Sequence, residues 1–271
     1  MQMMRKIFNV IVYIFAAIGL VLVLGYLAVE LGWTRTKGVV DTQHDYFQDE
    51  IGRSSWSKSE EWLILKEAIK KDISIINRVA SETGIPARMI ITPLVVEQLR
   101  LFNSEREIFK QVFAPLKILG NQSQFSWGVM GIKQDTAIEI EKHLKDSSSP
   151  FYLGRDFEHV LDFKTADHDK ERFERMTDED DRYFSYLYGA LLIAQIEKQW
   201  DLAHHSITNN AGVVSTLYNI GFTNSKPNAN PQIGGAQIEI GGTNYSFGGL
   251  AQSFYNSREL IEEFPFFSEP N

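Results

Sequence analysis

Cysteine is absent from all 271 residues, which excludes disulfides, thiolate metal sites, a thiol nucleophile and a lipid-modified cysteine. An excess of positive charge is missing as well. Lysine and arginine number 27 against 35 aspartates and glutamates, giving a net charge of −8. Proteins that track nucleic-acid phosphates carry a basic stripe, so no nucleic-acid partner is expected. There is no glycine-rich phosphate loop ending in Lys-Ser or Lys-Thr, no dinucleotide glycine fingerprint and no internal repeat at solenoid periods. One stretch, residues 7–29, lacks charge altogether.

That stretch is long enough to cross a bilayer, for which about 20 apolar residues suffice. Arg5 and Lys6 precede it and Glu30 follows, so the N-terminus is expected in the cytoplasm and the rest outside. A cleaved signal peptide has a shorter apolar region and a small-x-small site. Here Ala28-Val29-Glu30-Leu31-Gly32 offers no such site, and Trp33 suits an interfacial anchor. The expected organisation is a cytoplasmic tip and membrane anchor over 1–32, a polar linker over 33–58 and one domain over 59–271. With 44% hydrophobic and 23% charged residues, that domain has the composition of a chain with a real core.

Helical spacing dominates the domain. Trp62, Leu65, Ile69, Ile73, Ile76 and Val79 predict a long helix from Ser59 that ends by Gly84. Pro86 suits the first position of the next helix. Met89, Ile90, Leu94, Val95 and Leu99 make that helix apolar nearly all round, hence central, and Pro93 should kink it before Glu97. Further helices are expected at about 105–114, 135–145, 182–200, 207–218 and 249–263, with a charged surface excursion over 146–181. Residues 236–240 and 243–247 alternate across Gly241-Gly242 and predict a small hairpin. The fold class expected is mainly α with a minor β-hairpin, preceded by one transmembrane helix.

Three segments carry candidate chemistry. Glu97 lies among Leu94, Val95, Val96 and Leu99, where partial removal from water favours the protonated form a general acid needs. Gly128 and Gly131 flank Val129-Met130 after Ser126-Trp127, letting backbone approach a ligand while Trp127 offers a face to a sugar ring. Tyr218-Asn219 and Gly221 close an apolar helix, with Tyr218 able to bring a hydroxyl beside the acid. The plainer readings are a helix glutamate paired with Arg100, a turn with Trp127 as core filler, and a capping turn with a core tyrosine. His204-His205 and the acidic run Asp178-Glu179-Asp180-Asp181 read as surface and helix-capping residues. No metal and no cofactor is expected.

In order and context these segments resemble the soluble lytic transglycosylase family, whose catalytic domain has the lysozyme-like fold. Gly128-Val129-Met130, with Thr136-Ala137 downstream, falls on that family's Gly-Leu-Met motif, and Leu217-Tyr218-Asn219-Ile220-Gly221 falls on its Ala-Tyr-Asn-Ala-Gly motif. Departures are Gln98 for the usual Ser after the acid, Gly131 for a substrate-contacting Gln, Phe125-Ser126 for Gly-Ala, and an inserted segment around 103–122. Together with the anchor expected over 7–29, the resemblance implies a periplasmic enzyme of the bacterial envelope. It would cleave the β-1,4 bond between N-acetylmuramic acid and N-acetylglucosamine in peptidoglycan glycan strands, with Glu97 as the single catalytic acid/base. Ser126, Trp127, Gly128, Val129, Met130, Tyr218 and Asn219 would then bind substrate. The late tyrosine of such enzymes would be Tyr245 or Tyr255, with Tyr245 counted among the binding residues. A non-catalytic peptidoglycan-binding or scaffold protein of the same fold is the alternative. The sequence names no protein partner.

Overall fold

The structure, a computed structural model, describes residues 55–103, 126–208 and 210–266 together with positions 13, 19, 20, 23 and 24. The chain divides into two units, Met1–Lys37 with Glu105–Gln124, and Gly38–Ser104 with Phe125–Asn271. Every element named below belongs to the second. It is mainly helical, with α1 (Glu60–Lys71), α2 (Ile73–Thr83), α3 (Ala87–Asn103), α4 (Gln134–Lys145), α5 (His168–Met176), α6 (Tyr183–Leu202), α7 (Ala211–Ile220) and α8 (Phe247–Asn256). Two antiparallel hairpins complete it: β1 (Ser126–Trp127) with β2 (Ile132–Lys133), and β3 (Gln237–Ile240) with β4 (Thr243–Ser246).

Tyr13, Gly19, Leu20, Val23 and Leu24 are helical. The remainder of the predicted span 7–29 lies outside the described residues, as do the helix predicted at 105–114 and Phe125. Among the described residues no helix is long and apolar enough to cross a membrane.

Local chemistry sets most boundaries. Ser59 caps α1 by accepting a hydrogen bond from the Trp62 amide, and Glu60 and Glu61 favour its positive end. The helix predicted to run unbroken to Gly84 is interrupted at Asp72, whose carboxylate accepts Arg182 Nη1–H at 2.9 Å and Tyr186 O–H at 2.8 Å. Gly84 then ends α2 in the left-handed region. Pro86 stands one place before α3, and its carbonyl accepts the Met89 and Ile90 amides. Pro93 lies inside α3, which stays helical through it.

The linker prediction is corrected at its C-terminal end. Ser55–Lys58 forms a 3-10 turn, and Trp56 is fully buried. Its ring meets Trp62 edge-on at 5.2 Å and Phe254 at 6.0 Å, and its Nε1–H donates to Ser253 at 3.0 Å. The core therefore begins before residue 59. The predicted excursion over 146–181 holds a helix, α5, that lacks a clear apolar stripe because an ion pair stands in for one. Arg172 is buried and grips both oxygens of Glu141 at 2.6 and 2.8 Å, while Tyr188 O–H donates to the same carboxylate.

Helix α3 is central, as its apolar pattern predicts, and packs against α1, α2, α6, α7, α8 and β3. Its first turn is fastened by Arg88, fully buried. All five N–H groups of a guanidinium have a use here. Nε donates to Tyr255 O at 2.9 Å, Nη1 to Glu259 O and Phe264 O at 3.0 and 3.1 Å, and Nη2 to Phe254 O and Ser257 O at 3.1 and 2.8 Å. Capturing those carbonyls ends α8 at Asn256 instead of continuing to the predicted 263. Burial pulls the Arg88 pKa below its ordinary value. The negative end of the α8 dipole offsets that cost.

Replacing Arg88 with Lys leaves three donors for five carbonyls, and unfilled buried carbonyls are costly. Arg88→Lys is expected to lose about 2–4 kcal/mol of unfolding free energy in urea titrations. A loss below about 1 kcal/mol would contradict this role.

Candidate active site at Glu97

Glu97 sits on α3 with only 3% of its surface exposed. The segments that sequence singles out come to it from two other parts of the fold. Residues Gly128–Gly131 form the tight loop of the β1–β2 hairpin, closed by a Gly131 N–H to Gly128 carbonyl bond of 3.3 Å. Both loop glycines have positive φ, 61° and 67°.

Gly131 is the point of contact. A Cβ added there would lie 2.3 Å from Glu97 Cγ and 2.6 Å from Oε1. The residue that departs from the transglycosylase pattern is thus the residue that makes room for the acid. Gln98, the other departure beside the acid, donates from Nε2 to the Val129 carbonyl at 2.6 Å and ties the loop to α3. Behind the loop, a Cβ on Gly128 would meet Met176 O and Ser185 Oγ, each at 2.3 Å.

Tyr218, near the end of α7, donates its hydroxyl to the Met130 carbonyl at 2.8 Å. Burial first, and then the charge of Glu97, push its phenol well above the usual tyrosine value. The three segments therefore share one place in the fold: the acid, the loop packed on it and the tyrosine that clamps the loop.

Several predicted binding roles change. Trp127 is buried edge-on against Phe173, with ring centroids 5.2 Å apart, so it fills the core and offers no face to a sugar. The Met130 side chain is also buried, seated where a Cβ on Gly189 would lie 2.4 Å from its Cε, and only its carbonyl takes part at the site. Asn219 uses its side-chain oxygen to accept the Ala236 amide at 2.9 Å and fastens the loop before β3. Ser126 opens the first hairpin, half-buried, opposite Lys133. Tyr245 lies on β4 opposite Ile238, in the hairpin whose β3 strand packs beside α3. Tyr255 belongs elsewhere. Its carbonyl holds Arg88, nine residues before Glu97 and about 13 Å away along the helix.

Arg100 Nη2 donates to Glu97 Oε1 at 2.5 Å, which is the pairing that the plainer reading of Glu97 anticipates. Arg100 is one helical turn further on, the spacing at which side chains on α3 meet. While that bond stands, the guanidinium occupies Oε1.

Sequence reading misses one buried acid. Glu197 lies on α6 with 7% exposure and no hydrogen-bond partner among the described residues. Burial, then the like charge of Asp201, push its carboxyl up to about 8. Its other electrostatic neighbour is Tyr255, at the Arg88 end of α3. The only available signal is an acid between Ile196 and Trp200 in a helix buried nearly all round. A separate cavity of about 150 Å³ is lined by Trp200, Val213, Leu217, Ile220, Lys226 and Pro231 among others, none of them from the Glu97 cluster. Among the described residues no three His, Asp or Glu side chains assemble as a metal site.

Comparison with protein-family models, with curated proteins and with solved structures yields no match to this chain.

Two outcomes test this geometry. Gly131→Ala is expected to cost about 2–4 kcal/mol, from the left-handed backbone and the collision with Glu97. Combining it with Glu97→Ala should recover most of the collision, so that the two changes are non-additive in a double-mutant cycle. Strict additivity would refute the contact. For Glu197, the folded state keeps a proton that the unfolded state releases between pH 4.5 and about 8. That contribution to stability is present at low pH and is lost as pH rises through the window. Glu197→Gln should flatten the fall in Tm between pH 5 and 8, and an unchanged slope would exclude the group.

Proposed function

We propose that the chain is a peptidoglycan lytic transglycosylase that cleaves between N-acetylmuramic acid and N-acetylglucosamine with Glu97 as its one acid/base. The observation that carries this reading is the convergence of three distant segments on one carboxyl: Gly131 packs on Glu97, Gln98 holds the loop, and Tyr218 binds the loop's carbonyl. An unrelated helical protein with chance motifs has no reason to bring them together. A lysozyme-like arrangement of the domain is part of the same proposal.

In this mechanism Glu97 gives its proton to the bridging oxygen as the bond to C1 of the muramic acid breaks. The resulting carboxylate takes the proton of the same sugar's 6-hydroxyl while that oxygen bonds to C1, leaving a 1,6-anhydro end without water. Most glycosidases need two carboxylates; an internal nucleophile removes the need for the second.

The proposed setting is the outer side of a bacterial inner membrane, with residues 7–29 as a single span and the domain in the periplasm. It is supported by the uncharged run and by the exposed apolar side chains of Tyr13, Leu20, Val23 and Leu24. The substrate polymer lies in that compartment.

A second reading, a non-catalytic envelope-binding or scaffold protein, draws on the Arg100–Glu97 pair and the 3% exposure of the acid. The two are separated by incubating the full chain with sacculi. Soluble 1,6-anhydromuropeptides are expected, with Glu97→Gln lowering their rate at least about 100-fold. Reducing-end products would make it a hydrolase. Co-sedimentation with no released fragments would make it a binding protein.

A further inference from the structure

Arg100 is incompletely used. Of the five N–H groups on its guanidinium, the described structure pairs one, Nη2, with Glu97. Its Nε is buried and has no hydrogen-bond partner among the described residues. Leaving such a donor empty is costly in a folded chain, and functional sites are where the cost is commonly kept. The side chain is still 18% exposed, against 4% for that of Glu97. Of the two partners, the arginine is the one a ligand reaches first.

Position adds to this. At i and i+3 on α3, the two side chains stand about 5–6 Å apart at their Cβ atoms, roughly one sugar ring. An anionic group held by Arg100 and a glycosidic oxygen beside Glu97 can therefore belong to the same saccharide unit. Arginine is suited to this because its planar fork binds a carboxylate through two parallel N–H bonds.

We infer that Arg100 is a substrate-recognition residue that binds the free lactyl carboxylate of peptide-stripped muramic acid and, in doing so, releases Glu97. This rests on the transglycosylase reading for its substrate and deepens it by naming the state of the stem peptide. On a peptide-bearing strand the lactyl group is an amide without charge, and Arg100 stays on Glu97. On a stripped strand the carboxylate competes for the guanidinium. Glu97 Oε1 is then relieved of the guanidinium that occupies it. The same ion pair that keeps the acid idle is thus opened by the correct glycan.

The test uses the full chain and N-acetylmuramic acid, compared with its methyl ester, in calorimetric or NMR titrations. The free acid should bind the wild type at least about tenfold more tightly than the ester, as a charge-assisted bidentate contact provides. Glu97→Gln should retain or increase that preference, because the competing carboxylate is gone, and Arg100→Gln should abolish it. Equal binding of acid and ester, or no binding of either, overturns the inference without requiring any variant to fold. In parallel, sacculi with and without prior amidase treatment are digested. The stripped glycan should be cleaved with a higher kcat/KM, and Arg100→Gln should lose that advantage through KM. Cleavage indifferent to the stem peptide keeps the enzyme and removes this role for Arg100. Selective binding of the acid without cleavage of any glycan keeps the anion site and removes the enzyme.

Discussion

The buried guanidinium of Arg88 sets the position of everything near Glu97. It enters the core on the first turn of α3 and takes five carbonyls from the end of α8 and the chain beyond it. A cation is poorly placed at the start of its own helix, and it is tolerated here because it stands at the negative end of another. The geometry fixes both the height and the rotation of α3. With those fixed, Glu97 must emerge about two and a half turns later against whatever the rest of the fold supplies, and the Trp56, Trp62 and Phe254 cluster packs the same joint.

What the fold supplies is a four-residue loop held from three directions. Gln98 pulls on the Val129 carbonyl, Tyr218 on the Met130 carbonyl, and Ser185 accepts the Met130 amide at 3.3 Å. Side chains drive almost none of the loop's approach to the acid. Backbone does, made possible by two glycines in the left-handed region. Residues of two of the singled-out segments thereby serve as framework: Trp127 and Met130 are core, and Asn219 is a clasp for the segment leading into β3.

Much of this was legible in the sequence because apolar spacing and glycine positions report directly on burial and chain reversal. The central helix, the helices near 134–145 and 183–202, and the two-residue turn at Gly241-Gly242 follow from those signals. The grouping of Glu97, Met130 and Tyr218 was suggested instead by the order of the three motifs. Illegible were the features made by polar groups acting at long range. The break at Asp72 depends on Arg182 and Tyr186, more than a hundred residues away. Helix α5 depends on Arg172 meeting Glu141, and the early end of α8 depends on Arg88. The first hairpin, with two residues per strand, is too short to leave a period. The direction a side chain faces was also hidden, which is why Trp127 reads as a sugar platform in one dimension and as core in three.

The fit between Glu97 and Gly131 also governs how such a site can change over generations. In this chain a side chain at 131 collides with the acid as it now stands, so a larger residue there requires Glu97 to move. Once Glu97 is lost, position 131 is released from its steric duty and is free to drift toward residues that relax its backbone. Gly131 and Glu97 are therefore a pair in this chain, each limiting what the other position can accept.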